Sequence, residues 1–159
     1  MELHYFLRPM KKEDVPQVVE IEKKSFPTPW SSYAFSCELA DNEFAYYLIV
    51  TTEENPAEVL GYGGMWIILD EVHITNIAIT PAYRGKRLGE FLMKGMFALA
   101  LRKGASRMTL EVRVSNQRAQ RLYTKLGFTV AGIRPGYYSD TNEDALIMWK
   151  ELLEKEILE

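Results

Sequence analysis

The residues whose types and spacing can do chemistry gather in the second half of the chain. The run EVRVSN, Glu111 to Asn116, opens on a carboxylate and alternates, with Val112 and Val114 facing one way and Glu111, Arg113 and Ser115 the other. Alternation alone reads such a carboxylate as part of a solvated outer face. Tyr123 follows in SNQRAQRLYTKLG, where it shares a helical stripe with Ala119, Leu122 and Leu126. That position by itself suits a core aromatic. The loop RGKRLG, residues 84 to 89, brings Arg84, Lys86 and Arg87 together with two glycines ahead of a helical run. Free N–H groups and the positive end of a helix suit an anionic phosphate there, although the same letters also make an ordinary basic loop.

These groups need a frame to hold them. LHYFLRPM reads as an opening strand, and KEDVPQVVEIEKKSF as a helix with Pro16 in its first turn. FPTPW breaks that helix with two prolines, and Ser31 or Ser32 caps a second, short helix through about Ala40. AYYLIVTT, EVLGYGGMWIIL and VHITNIAIT read as three successive strands, the first two an antiparallel hairpin across EENPAE. EFLMKGMFALALRKG is a helix stopped by Gly104, and SRMTLEVRV is the next strand. SNQRAQRLYTKLG makes a further helix, capped by Ser115 and stopped by Gly127. FTVAGIRPGYY and EDALIMWK are closing strands, and about residues 150–159 form a charged terminal helix or tail. The order predicts an α/β (α+β) fold: one domain over residues 1–159, a mixed sheet of about seven strands, and helices on both faces. Residues 72 to 114 form a right-handed parallel strand, helix, strand unit, which places RGKRLG at a strand's carboxyl end beside a helix N-terminus.

Composition excludes several classes. A chain of 159 residues with 47% hydrophobic residues buries a core of its own. With 19 Lys and Arg against 22 Asp and Glu, it has no excess of positive charge for direct binding along nucleic acid or an anionic membrane, so any phosphate site is local. One cysteine, Cys37, forms no internal disulfide, and with His4 and His73 it falls short of a zinc site, so no metal is expected. The N-terminus lacks a signal-peptide core and no apolar run reaches a membrane span of about 20 residues, so the expected location is cytoplasmic.

NIAITPAYRGKRLGEFLM followed by LEVRVSNQRAQRLYTKLGF resembles the acetyl-CoA-binding core of the GNAT-superfamily N-acetyltransferases, and the resemblance extends over nearly the whole chain. FPTPW, DEVHITNIAI, LEVRVSN and GYYSDTNEDALIM look most like the bacterial ribosomal-protein alanine N-acetyltransferases. The resemblance implies a splayed central strand pair in which backbone groups near Ile77, Ala78 and Ile79 pair with the pantetheine arm of acetyl-CoA. It further implies that Arg84, Gly85, Lys86, Arg87, Leu88 and Gly89 hold the pyrophosphate, and that Asn116 hydrogen-bonds the cofactor. Glu111 would be the general base and Tyr123 the general acid. Phe26, Pro27, Tyr137 and Tyr138 would wall a groove for a protein N-terminus, most likely that of a small-subunit ribosomal protein, with Asp140, Glu143 and Asp144 either a negative rim or solvated turn residues.

One position departs from the family pattern: Arg87 stands where the loop usually has a glycine. Arg is costly there if the position needs positive φ, and useful if it only offers a helical N–H; the start of the helix at this point favours the second reading. Two alternatives stay open. One is the same chemistry on a polyamine, another small amine or a lysine side chain; the other is a non-catalytic acyl-CoA-binding module.

Overall fold

Pro16 lies where a helix tolerates it, in the first turn, and the helical run begins there. In the computed structural model, which describes residues 2–158, a single 3-10 turn at Lys12–Asp14 leads into α1, Val15–Ser25. The chain then breaks at Phe26 and re-enters helix as α2, Ser32–Asp41, whose cap is Ser31: its Oγ accepts from the N–H of Ala34 at 3.1 Å. Strand β1 is Tyr5–Pro9, β2 Ala45–Thr52, β3 Gly61–Ile68 and β4 Glu71–Ile79. Helix α3 is Leu88–Arg102, β5 Arg107–Arg113, α4 Gln117–Lys125, β6 Thr129–Tyr138, β7 Glu143–Glu151 and α5 Lys155–Leu158.

The strands form a seven-stranded mixed sheet in the order β1-β2-β3-β4-β5-β7-β6. β4 and β5 pair in parallel, Glu71 with Arg107 through His73 with Thr109. Two compact units divide the chain, the first made of residues 1–66 and 75–96, the second of 67–74 and 97–159.

In the first unit, Phe35 is fully buried and meets Trp30, Tyr47 and Tyr62 at ring centroid distances of 5.4, 6.2 and 5.8 Å. Val18 and Ile21 of α1 join that core, which is why the helix keeps Val15, Val18 and Ile21 on one side. Gly64, a glycine in mid-strand, has a reason in the packing: a Cβ there would collide with the ring of Tyr47 and with Asn76 Oδ1. The core also holds a carboxylate. Glu22 accepts from the hydroxyl of Tyr62 and, at 2.7 Å, from the backbone N–H of Trp30, which fastens the end of the proline-rich break to the sheet. Burial, and then the charge of Glu22, push the Tyr62 phenol well up.

In the second unit, Phe97 of α3, Phe128 and Tyr123 of α4 form an aromatic row, with centroids 6.1 and 5.8 Å apart. The charged end of the chain is docked more firmly than a frayed tail: β7 runs on to Glu151, Leu152 is buried, and buried Lys150 pairs with buried Glu156 of α5 at 2.9 Å. The terminal helix is therefore confined to Lys155–Leu158, and Glu159 lies outside the described residues. Asn116 caps α4 in place of Ser115, its Oδ1 accepting from the N–H of Ala119 at 3.2 Å.

Asp14 ties β1 to the start of the first helix. Both its oxygens accept from the Arg8 guanidinium, at 2.7 and 2.9 Å, and Oδ2 also accepts from the Lys11 N–H at 2.8 Å. Burial alone would raise the Asp14 carboxyl, but the Arg8 bonds and the Lys11 N–H outweigh it and hold the carboxyl below its ordinary 3.8. A lowered native value means the stabilisation is whole above pH 3.8 and is lost as pH falls through the native value. Asp14→Asn should cost about 1.5 to 3 kcal/mol at neutral pH, and its stability should fall less steeply in acid than that of the wild type. Urea unfolding at a series of pH values checks both.

Candidate active site

In the first unit, the backbone of β4 ends at Ile79, and the chain turns through a 3-10 segment, Pro81–Tyr83, into the loop that opens α3. Gly85 has φ +83°, and the space where a Cβ would project is open to 4 Å. That leaves the Gly85 backbone uncovered just ahead of α3, whose leading N–H groups have no carbonyl within the helix to bond. Lys86 is exposed. Leu88 is different: its side chain is a buried core anchor, so only its N–H is available to an anion. Ala78 is buried, while Ile77 and Ile79 are half-buried. Arg84 spends its guanidinium on the frame, donating to the Ile79 carbonyl at 3.0 Å and to Ser25 Oγ at 3.1 Å. It thereby clips the loop to the end of α1, next to Phe26.

Arg87 corrects the sequence reading. It is not a helical residue offering an N–H: its φ is +62°, in the left-handed region, and its carbonyl accepts the first α3 bond from the Phe91 N–H at 3.1 Å. The position therefore has the geometry for which glycine is the low-strain choice, and the chain carries the strain of a long side chain there. Phe26 ends α1 and packs partly into the core, and Pro27 after it is exposed.

The second unit carries the proton-handling candidates. Along β5, Met108, Leu110 and Val112 are buried on one face, while Glu111 lies on the other, beside Ile147 of β7. Glu111 is no solvated outer-face residue, because its side chain is only 9% exposed. Its Oε2 is 2.6 Å from Nε2 of His73, and its Oε1 is 3.7 Å from Nε of Arg134. Tyr123 is buried, and burial, with Tyr138 adding to it, pushes its phenol up to about 12. Tyr137 and Tyr138 meet edge to face at 5.1 Å. Burial raises both, and the charge of Glu111 adds to the rise in each.

Tyr138 is held from behind by Arg113, whose guanidinium carbon is 4.0 Å from the ring centroid. The same guanidinium donates to Asp140 at 2.7 Å and lies 3.5 Å from Glu143. Asp144 accepts from the Gly136 N–H at 2.8 Å. The three acidic residues near this hairpin are thus struts with partners rather than a bare negative rim. Asn116 uses its Oδ1 as a helix cap, which leaves its amide nitrogen for any cofactor contact. Two residues of this neighbourhood escaped the sequence reading, His73 and Arg134; strand alternation names the face of each, but only the register brings them to Glu111.

Residues 15–128 match the acetyltransferase (GNAT) family, and the chain belongs to it. Among relatives, a Bacillus subtilis (strain 168) protein named, provisionally, as a [ribosomal protein bS18]-alanine N-acetyltransferase is 49% identical over 90% of this chain and 93% of its own length. The [ribosomal protein bS18]-alanine N-acetyltransferase of Escherichia coli (strain K12) is 34% identical over 87% of this chain and 92% of its own. Among solved structures, the ribosomal-protein-S18-alanine N-acetyltransferase of Escherichia coli superposes with a TM-score of 0.83 at 30% identity, over 93% of this chain and 94% of that one. Ard1 of Thermoplasma volcanium gives 0.84 at 25% identity, over 94% and 99%. Among the described residues, no cluster of three or more His, Cys, Asp or Glu is placed to hold a metal, and no helix is long and apolar enough to cross a membrane.

The strain at Arg87 is measurable. Arg87→Gly should stabilise the protein by about 1 kcal/mol, a rise in Tm of about 2 to 4 °C, while Arg87→Ala should not, because alanine is strained at the same φ. Thermal unfolding of the two variants, with acetyl-CoA titrations alongside, separates the backbone effect from any loss of charge.

Proposed function

We propose that this chain transfers the acetyl group of acetyl-CoA to the α-amine of the N-terminal alanine of ribosomal protein bS18, acting in the cytoplasm. The observation that carries the reading is the likeness, over nearly the full length of both chains, to relatives named for that reaction. The loop supports the cofactor assignment: the open backbone at Gly85, exposed Lys86 and the free N–H groups of Leu88 and Gly89 fit a pyrophosphate, with Arg84 bracing the loop. The edge of β4 at Ile77, Ala78 and Ile79 would take the pantetheine arm, and the Asn116 amide a further cofactor contact. Acetyl-CoA supplies the activated acyl group as a thioester.

The residues of the second unit then carry roles in proton transfer. The α-amine must be neutral to attack the thioester carbonyl carbon, and the C–S bond breaks with the electron pair leaving on sulfur. Glu111 takes the proton from the amine, directly or through one water, and Tyr123 offers its O–H to the departing sulfur. A phenol pushed up to about 12 keeps its proton at any working pH. On the acceptor side, Tyr137 and Tyr138 of the second unit, and Phe26 and Pro27 of the first, are the residues assigned to the incoming chain end. A free α-amine has a pKa of about 7.7 to 8.0 and lysine one near 10.4, so neutralising a lysine costs roughly 3.5 kcal/mol more. This favours a chain end over a side-chain amine.

Glu111→Gln should lower turnover about 10²- to 10⁴-fold with acetyl-CoA affinity nearly unchanged, and Tyr123→Phe should act likewise. Wild-type turnover in either variant would remove that residue's role. The acceptor is tested with peptides beginning with Ala, Ser, Met or a bulky residue, each with free or blocked α-amine and an internal lysine. Acetylation is expected only with the free α-amine and fastest with Ala. Comparable acetylation of blocked peptides would assign the enzyme to lysine or small amines.

A further inference from the structure

His73 touches the candidate base and has no part in the chemistry described so far. It lies on β4, in parallel register with Thr109 of β5, and its imidazole reaches along the sheet to Glu111, two residues further on. The 2.6 Å separation of Nε2 and Oε2 is a short, charge-assisted distance. An ionised carboxylate has no hydrogen to give, so in this bond the imidazole is the donor. The other carboxylate oxygen faces a rival. Arg134, reaching over from β6 with a side chain 55% exposed, stands at 3.7 Å from Oε1, beyond hydrogen-bond distance but within ion-pair reach.

We propose that His73 is a positioning residue for acetyl transfer: by donating Nε2–H to Oε2 it holds the Glu111 carboxylate in the orientation that receives the amine proton, against the pull of Arg134. The inference rests on the N-acetyltransferase reading and adds to it a member that the sequence did not assign. Three observations support it. The Glu111 side chain is only 9% exposed, so a replacement that keeps the bulk of the imidazole without its donor, as leucine does, leaves Oε2 with little water to bond in its place. A flexible carboxylate with one strong neighbour turns toward it, and with His73 gone that neighbour is the Arg134 guanidinium. An Arg-paired carboxylate is a weaker proton acceptor, because a nearby positive charge favours its ionised form. The other groups facing Glu111 do not share the role of the imidazole: Ile147 from β7 is apolar, and Tyr137 and Tyr138 from β6 feel the charge of Glu111 without a hydrogen bond to it.

The test compares three replacements. His73→Gln keeps an N–H donor of similar reach, His73→Leu keeps bulk without a donor, and His73→Ala removes both. His73→Leu and His73→Ala should lose about 10- to 100-fold in kcat, the scale of a misplaced reacting group, with KM for the peptide and Kd for acetyl-CoA nearly unchanged. His73→Gln should recover most of the loss. A role in folding alone would lower Tm and leave kcat per folded molecule intact. Wild-type kcat in His73→Leu, or a loss in His73→Gln as large as in His73→Leu, would overturn the proposal. A crystal structure of His73→Leu gives a readout that needs no turnover: the Glu111 carboxylate should have rotated to Arg134, and an unmoved carboxylate would overturn the proposal. If instead the wild-type enzyme acetylates no peptide, it is the function that fails, and the rotation still reports on His73.

Discussion

The parallel pairing of Glu71–His73 with Arg107–Thr109 is the constraint on which the proposed chemistry of this chain depends. Antiparallel neighbours close through a tight turn, whereas parallel ones need a crossover, and here the crossover is the loop after Ile79 together with the whole of α3. Side chains on a strand repeat every second residue, so the register that sets His73 beside Thr109 also brings it to the face of Glu111. A slip of one residue would turn Glu111 onto the face of Met108, Leu110 and Val112, where a carboxylate has no partner. From its other side, β7 pairs with β5 along its full length, Arg107 with Glu151 through Arg113 with Ala145. Glu111 is covered on that flank by β7, with Ile147 opposite it, and on the other, where the β4 register ends at Thr109, by the imidazole of His73.

The crossover concentrates conformational cost in one place. Gly85 accepts positive φ freely, but Arg87 accepts it only against the contact of its Cβ with the backbone, and it does so at the residue whose carbonyl takes the first hydrogen bond of α3. The helix is anchored immediately afterwards by buried Leu88, so the strain cannot be relieved by fraying the first turn without exposing a core side chain. Arg84 adds a brace from the other end, bonding the Ile79 carbonyl and Ser25. The loop is therefore held at both ends by side chains that an anion does not need, while the backbone in the middle stays open.

Much of this was legible because local signals and tertiary demands agreed. Pro16 in a first turn, Ser31 as a cap, Gly104 and Gly127 as stops and the alternation of β5 all appear where the sequence places them. What could not be read depends on distance along the chain. Ser115 and Asn116 are both good caps, and the choice between them turns on where β5 ends, at Arg113, which propensity does not give. The φ of Arg87 belongs to the path of the loop into α3, which starts one residue later, at Leu88, and the residue types of the loop do not give that path. The Arg8–Asp14 pair and the meeting of His73 with Glu111 are contacts between elements, and the types of the residues alone say nothing of their register. Arg113 shows the same limit: as a strand residue it looked like solvated surface, yet it braces Tyr138, Asp140 and Glu143 at once.

For the proposed role of Tyr123, its environment narrows how a proton would reach the leaving group. A buried phenol pushed up to about 12 surrenders its proton to an ordinary thiolate, whose conjugate acid lies near 8.5, only against a gap of about 3.5 pH units. Full transfer from Tyr123 ahead of C–S cleavage is therefore disfavoured. A hydrogen bond that strengthens as charge grows on sulfur is not, since it needs a donor that stays protonated, and burial makes such a donor more effective by excluding competing water. Tyr123 is thus better matched to stabilising the departing sulfur than to completing its protonation. In the proposed reaction the heavier proton traffic would fall on Glu111, since the amine must lose a proton before attack and another after it, and it is Glu111 that has the His73 bond and the Arg134 charge beside it.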